Sequence, residues 1–238
     1  MQTTSALRSI DAILLDMDGT ILNPIRTAER IWGAWAQRQG IDVESFVPTI
    51  HGVQSIETIR RLGLAGIDPA TEAAMITKAE IDDVEGIDAI AGAAAFLSAL
   101  PNTRWAIVTS APRALALRRI EAAGLPAPPL LIAAEDVARG KPAPDCFHLA
   151  AGMLGTTAAK CLVIEDSVAG VASAASAGAT VLVVTATHHK AMETQHATIK
   201  DYRDLVLHRL PNGAIAIDHD DAAIAPAFRV ACVLQAAA

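Results

Sequence analysis

The sequence predicts an α/β fold: a Rossmann-like parallel sheet core with a small α-helical unit inserted after the first strand. Three observations carry this expectation. From Trp105 to Val184, short apolar runs alternate with helical patterns, and such alternation implies a parallel sheet covered on both faces. The stretch from about Ile25 to Asp88 breaks that rhythm and shows helical patterns but no convincing strand. Hydrophobic residues make up 52% of the 238 residues and aromatics only 3%, so Ala, Val, Ile and Leu must fill a core large enough for one big domain or two modest ones.

Taken in order, Ile13-Leu14-Leu15 reads as a buried strand that runs into Asp16-Met17-Asp18-Gly19-Thr20. Helical patterns follow over Ala28 to Gln39 and Ile56 to Leu62. Beyond Gly86 and Gly92 the alternation starts. Trp105 to Val108 is a strand, and Ala114 to Ala123 a helix stopped by Gly124. Leu130 to Ile132 is a short strand, and Pro144 to Leu154 a helix stopped by Gly155. Cys161 to Ile164 is a strand, Val168 to Ala177 a small-residue helix closed by Gly178, and Thr180 to Val184 the next strand. The tail from Pro211 to Ala238 carries a weak pattern, compatible with an edge strand around Ala214 to Ile217 or with partial disorder. This places the core in 1–22 and 89–238 and the helical cap in 23–88.

Composition excludes several function classes. A net charge of −7 without a basic stripe argues against a nucleic-acid partner. No run approaches the roughly 18 apolar residues of a membrane span, and Met1 to Ile10 lacks the apolar centre of a signal peptide. Cys146, Cys161 and Cys232 have no metal-ligand spacing. A reduced, cytoplasmic protein, acting as a monomer on a small molecule, is the expectation.

Four features fall at expected strand ends or in the loops after them: Asp16/Asp18, Thr109-Ser110, Gly140-Lys141-Pro142-Ala143-Pro144-Asp145, and Glu165-Asp166-Ser167. In a parallel sheet those ends lie along one edge, where ligands bind. Asp16 and Asp18, spaced i, i+2, address one volume if the chain stays extended. Like charges that close raise each other's pKa, and a divalent cation resolves the repulsion. An all-oxygen ligand set with room for water and phosphate favours Mg²⁺.

These motifs resemble those of haloacid dehalogenase superfamily phosphatases. Asp16-x-Asp18-Gly19-Thr20 is similar to the first motif of that family, Thr109 to its second, Lys141 to its third, and Glu165-Asp166 to its fourth; the match spans about residues 11 to 185. The inserted helices resemble its small helical cap. His51-Gly52, Trp105 to Ser110 and Gly124 to Pro128 resemble bacterial sugar phosphatases within it, relatives of 2-deoxyglucose-6-phosphatase and glycerol-3-phosphatase.

The resemblance implies Asp16 as the nucleophile that carries an aspartyl-phosphate, and Asp18 as acid and then base. It implies Thr109 as a phosphoryl contact and Lys141 as the neutralising cation. Asp16, the Asp18 carbonyl, Glu165 and Asp166 would hold Mg²⁺. Ser110, His51, Gly52 and Glu80 are candidate substrate contacts, whereas Trp32 and Trp35, at i and i+3, read as cap packing. The implied substrate is a small phosphorylated metabolite, a sugar or polyol phosphate. Beta-phosphoglucomutase is the rival, but it needs a cap arginine for a second phosphate where this chain has Ser55. Dehalogenases lack an aspartate at the place of Asp18, and a sugar-phosphate-binding regulator would have lost one of the catalytic groups. Asn23-Pro24 and Ala91-Gly92 depart from the usual pattern without touching the catalytic set.

Overall fold

The first strand, β1 (Ala12–Leu15), is apolar at every position and buried on both faces. A strand of that kind belongs at the centre of a parallel sheet. In the computed structural model, which describes residues 10–50, 53–188, 190, 192–209 and 215–219, it does. The sheet adds β4 (Trp105–Val108), β5 (Leu131–Ile132), β6 (Cys161–Glu165), β7 (Thr180–Val184) and β8 (Ala197–Ile199) in the order β5-β4-β1-β6-β7-β8, all parallel. Leu14 pairs with Ala106 on one side and Val163 on the other. Chain progression reverses between β1 and β6, and in open α/β sheets such a switch point is where ligands bind.

Alternate side chains feed two cores. Ile13, Leu15, Ile107 and Ile164 pack with α5 (Ala93–Ala99) and α6 (Arg113–Ala122), through Phe96, Leu97, Leu115 and Ile120. Leu14, Ala106, Val108 and Val163 pack with α7 (Asp145–Met153) and α8 (Val168–Ser176), through Phe147, Ala150 and Ala174. A fully buried aliphatic side chain such as Leu14 contributes about 1.5–3 kcal/mol, so the aliphatic composition suffices without aromatics.

Between the paired ribbons β2 (Leu22–Asn23) and β3 (Asp88–Ala89) lie α1 (Ile25–Arg38), α2 (Val43–Phe46), α3 (Ser55–Leu62) and α4 (Pro69–Asp82). They share their own apolar cluster around Trp32, Trp35, Phe46, Ile59 and Ile76. The two tryptophans meet edge to face at 5.7 Å, and the Trp35 Nε1–H donates to Glu72 Oε2 at 2.7 Å. This is the packing expected of them, although Trp32 also borders the site. The Asp68-Pro69 pair starts α4 in the usual way: the aspartate accepts from the Thr71 amide while proline takes the first helical position.

The expected elements from Trp105 to Val184 are present, with ends moved by a residue or so. The tail differs. β10 (Ile215–His219) pairs antiparallel with β9 (Leu205–Arg209) in a separate two-stranded sheet, rather than extending the main one. One edge of the main sheet is β5 and the other is β8, whose three residues are too few for a periodic signal.

Candidate active site

The carboxyl ends of β1, β4 and β6 converge, and the backbone fixes how. The Asp16 amide donates to Ile164 O and the Thr109 amide to Ile132 O, each at 2.9 Å. Both residues therefore sit on the last rungs of the sheet. Beyond Asp16 the chain leaves the strand. Gly19 takes φ +86°, and a Cβ there would stand 1.9 Å from Asp166 Oδ2. Only glycine lets the β1 loop and the β6 loop approach so closely.

Lys141 reaches the centre from the loop before α7. Its Nζ donates to Asp16 Oδ1 at 2.5 Å, Glu165 Oε1 at 2.7 Å and Val108 O at 3.0 Å, and stands 5.2 Å over the Phe147 ring. All three ammonium donors are thus used. Glu165 is fully buried. Its Oε2 accepts from the amides of Asp166 and Ser167 and from Ser167 Oγ. Ser173 Oγ donates to Ala143 O at 2.7 Å, tying α8 to the lysine loop.

Asp16, Glu165 and Asp166 each bring an oxygen within 4.8 Å of the others. Three carboxylates against one ammonium leave excess negative charge. Burial first, then Glu165, push the Asp16 carboxyl up to about 7 against the pull of Lys141. Burial and the Asp16 and Glu165 charges likewise hold Asp166 well above the ordinary carboxylate range. Burial alone would lower the Lys141 ammonium, but Asp16 and Glu165 outweigh it and raise it. Thr20 Oγ1 stands between Asp16 Oδ2 at 3.1 Å and Asp166 Oδ1 at 3.3 Å, with one hydrogen to give. Hard oxygen donors that repel one another in a buried cluster fit a small divalent cation such as Mg²⁺.

A cavity of about 80 Å³ lies over Asp16 between the helical cluster and the sheet, bordered by Asp18, Thr109, Ser110, Glu80 and Arg119. Ser55 and Trp32 also border it. A larger cavity, of about 740 Å³, opens past Asp18 toward Asp166, Arg61 and His188. Thr109 Oγ1 accepts from the Ala111 amide at 3.0 Å. His51 and Gly52 lie outside the described residues.

Two participants were not expected. Arg119, on α6, donates to Asp18 Oδ2 at 2.7 Å and to Glu80 Oε1 at 3.0 Å. Burial pushes the Glu80 carboxyl up, Arg119 counters it, and the balance leaves it raised. His188 Nε2 donates to Asp166 O at 2.7 Å from the loop after β7. Both lie in regions read only as helix or strand exit. The one available signal for Arg119 was a charge one turn beyond Leu115, on the face of α6 that meets the core.

The family model for haloacid dehalogenase-like hydrolases matches residues 10–178. Hexitol phosphatase A of Escherichia coli K12 is 39% identical over 216 residues, 86% of this chain and 97% of the relative. 2-Deoxyglucose-6-phosphate phosphatase 1 of Saccharomyces cerevisiae is 27% identical over 205 residues, 77% of this chain and 83% of the relative. Crystalline CbbY from Rhodobacter sphaeroides in complex with phosphate superposes with a TM-score of 0.67 over 81% of this chain and 95% of that one, at 22% identity, a likeness of fold. The chain therefore belongs to the haloacid dehalogenase-like hydrolases, as a phosphatase of that family.

Proposed function

We propose that the chain is a Mg²⁺-dependent hydrolase of small sugar or polyol monophosphates that works through an aspartyl-phosphate on Asp16, with residues 23–88 as its substrate-selecting cap. The observation that carries this is the Asp16 carboxylate, held by Lys141 on the last rung of β1 beneath a small polar cavity. The relation to a hexitol phosphatase and to a 2-deoxyglucose-6-phosphate phosphatase supports the substrate class.

In this reading an Asp16 oxygen attacks phosphorus and forms an acyl phosphate, while the bond from phosphorus to the ester oxygen breaks. Asp18 gives its proton to the leaving alkoxide. It then takes one from water, which attacks the acyl phosphate and releases inorganic phosphate with Asp16 restored. Thr109 hydrogen-bonds a phosphoryl oxygen, and Lys141 balances charge on the nucleophile. Asp16, Asp166 and the Asp18 carbonyl are the metal ligands. Glu165, both of whose oxygens are engaged, acts directly or through water. Bound there, Mg²⁺ supplies electrostatic shielding between the carboxylates and the phosphoryl group. Ser110 and Glu80 at the cavity, and His51 and Gly52 in the cap, are the proposed substrate contacts. Among the described residues the guanidinium bordering the small cavity is Arg119, already shared by two carboxylates. A second phosphate would find no vacant clamp there, which favours hydrolase over mutase.

The buried thiols of Cys146 and Cys161 are unpaired, and no helix among the described residues is long and apolar enough to cross a membrane. The unpaired thiols support a reduced compartment. The test is phosphate release from a panel of phosphomonoesters, with Mg²⁺ and with excess chelator, for the native chain and Asp16→Asn. Hexitol, hexose and glycerol phosphates should lead, and both the variant and the chelated protein should be silent. Turnover by Asp16→Asn would refute the covalent route.

A further inference from the structure

We propose that Arg119 is the positioning residue of Asp18, and that the cap carboxylate Glu80 holds Arg119 in place, so that the acid is aligned only while the cap sits on the core. The inference rests on the reading of Asp18 as the acid.

Arg119 joins three parts of the chain. It stands on α6 of the core. One terminal nitrogen of its guanidinium donates to Asp18 Oδ2, in the loop after β1, and the other to Glu80 Oε1, on α4 of the cap. The guanidinium and Glu80 are 6% and 4% exposed. Removing such a charge from water is expensive, and an apolar residue of similar size is often as stabilising. The same helix places Leu115 one turn earlier, bordering the same cavity. The pairing is also incomplete. Arg119 Nε is buried without a hydrogen-bond partner, at a cost an optimised structural ion pair would avoid. The guanidinium is thus set by what its two terminal nitrogens hold rather than by its own satisfaction.

Asp18 shows what is gained. Its Oδ2 is taken by Arg119, and its Oδ1 is buried with no partner. The single hydrogen bond from Arg119 holds Oδ2 toward α6 and leaves Oδ1, without a protein partner, as the oxygen that exchanges a proton with a leaving group or water. Fixing a reacting group in this way removes rotational freedom that would otherwise be lost at the transition state. Because α4 supplies Glu80, separation of cap and core would free the guanidinium, and with it the acid.

The experiment follows single-turnover phosphoryl transfer from glucitol 6-phosphate, whose alkoxide needs a proton, and from p-nitrophenyl phosphate, whose phenolate hardly does. Arg119→Met should slow the first about 10- to 100-fold and the second less than about 3-fold, a part of the roughly 10²–10⁴ that acid–base help supplies. KM should barely move, and in an Asp18→Asn background the same substitution should add no further loss. Arg119→Lys should recover part of the rate. Glu80→Gln should show the same substrate split in weaker form. Should Arg119→Met fold poorly with Glu80 left unpaired, the double variant Arg119→Met/Glu80→Met is read by the substrate split in the transfer step alone, because Glu80 is also a proposed substrate contact and its loss moves KM by itself. Equal losses with both substrates, a loss that persists in the Asp18→Asn background, or a raised KM with unchanged kcat would each overturn the inference. If Asp18→Asn itself slows both substrates equally, the acid reading fails; if it discriminates while Arg119→Met does not, only the inference fails.

Discussion

Replacing Lys141 by methionine tests whether the lysine balances the carboxylate cluster. Its side chain is 2% exposed, and it contacts Asp16 at 2.5 Å and Glu165 at 2.7 Å. Methionine keeps most of the length and no charge. Removing one partner of a buried pair costs about 3–5 kcal/mol. For a chain of this size each kcal/mol moves Tm by about 2–4 °C, so Tm should fall by about 6–20 °C. The fall should depend on pH. Asp16 has an ordinary pKa of 3.8 and stands near 7 in the folded protein. Between those values the folded state binds more protons than the unfolded one, so its carboxylate weakens the fold progressively as pH rises. Loss of the ammonium raises Asp16 further and widens that window. Thermal melts in excess chelator should therefore show a larger gap between variant and native protein at pH 8 than at pH 5. The kcat with Mg²⁺ should drop about 10²–10³-fold, as for other removals of a preorganised charge-stabilising group. A Tm loss equal at both pH values would refute the charge-balance argument, and a kcat within a few-fold of native would refute the role in catalysis.

Gly170→Ala should act on the same centre from behind: its Cβ would fall 1.6 Å from Glu165 Oε1, a carboxylate tied by hydrogen bonds to Lys141, Asp166 and Ser167, so kcat should fall markedly while a surface Gly152→Ala, with open space around it, changes nothing. Burial pushes the Cys161 thiol up to about 12, aided by Asp11, and raises Cys146 as well. Mass spectrometry after iodoacetamide at pH 8 should find neither labelled in the native protein and both labelled in urea. His51→Ala should raise KM for sugar phosphates and leave p-nitrophenyl phosphate nearly unaffected in steady-state assays. Given β-glucose 1-phosphate and a bisphosphate primer, the chain should release inorganic phosphate faster than it forms glucose 6-phosphate.

What the sequence disclosed was the part of the site written in short segments. Asp16, Thr109, Glu165 and Asp166 each follow an apolar run, so their place at one sheet edge follows from the strands alone. Lys141 is legible by its proline-rich surroundings and by order along the chain. The parts it hid depend on which helix faces which. Arg119 lies 101 residues from Asp18 and 39 from Glu80, and no local pattern relates them. His188 was hidden likewise, as it meets a backbone carbonyl 22 residues away. The α4 helix was obscured by a buried face of only Ala73, Ile76 and the charged Glu80, and β8 by its length, whereas β1 and β7 were plain because four aliphatic residues in a row have few other uses in a chain of this kind.

The two arginine and lysine centres divide the labour of charge in this site. Lys141 neutralises Asp16 and Glu165 beneath the cavity, and all of its donors are used within the core. Arg119 neutralises the neighbouring carboxylates Asp18 and Glu80, one from the core and one from the helical insert. Asp16, Asp18, Glu80, Glu165 and Asp166 together outnumber these two cations, so the carboxyl groups compete for positive charge, and Asp16, Glu80 and Asp166 are held above the ordinary carboxylate range. A phosphate dianion entering such a pocket gains little from protein cations already engaged. That is the electrostatic case for a divalent metal: it adds positive charge where the protein's own cations are already paired. The same accounting bears on selectivity. A substrate with one phosphate needs one such source of charge, whereas a bisphosphate would bring a second dianion toward Glu80 and an arginine held by two carboxylates. Hydroxyl groups carry no such penalty, and they can exchange hydrogen bonds with Ser55, Ser110 and Glu80 around the cavity. The charge distribution around Asp16 therefore points to a polyhydroxylated monophosphate.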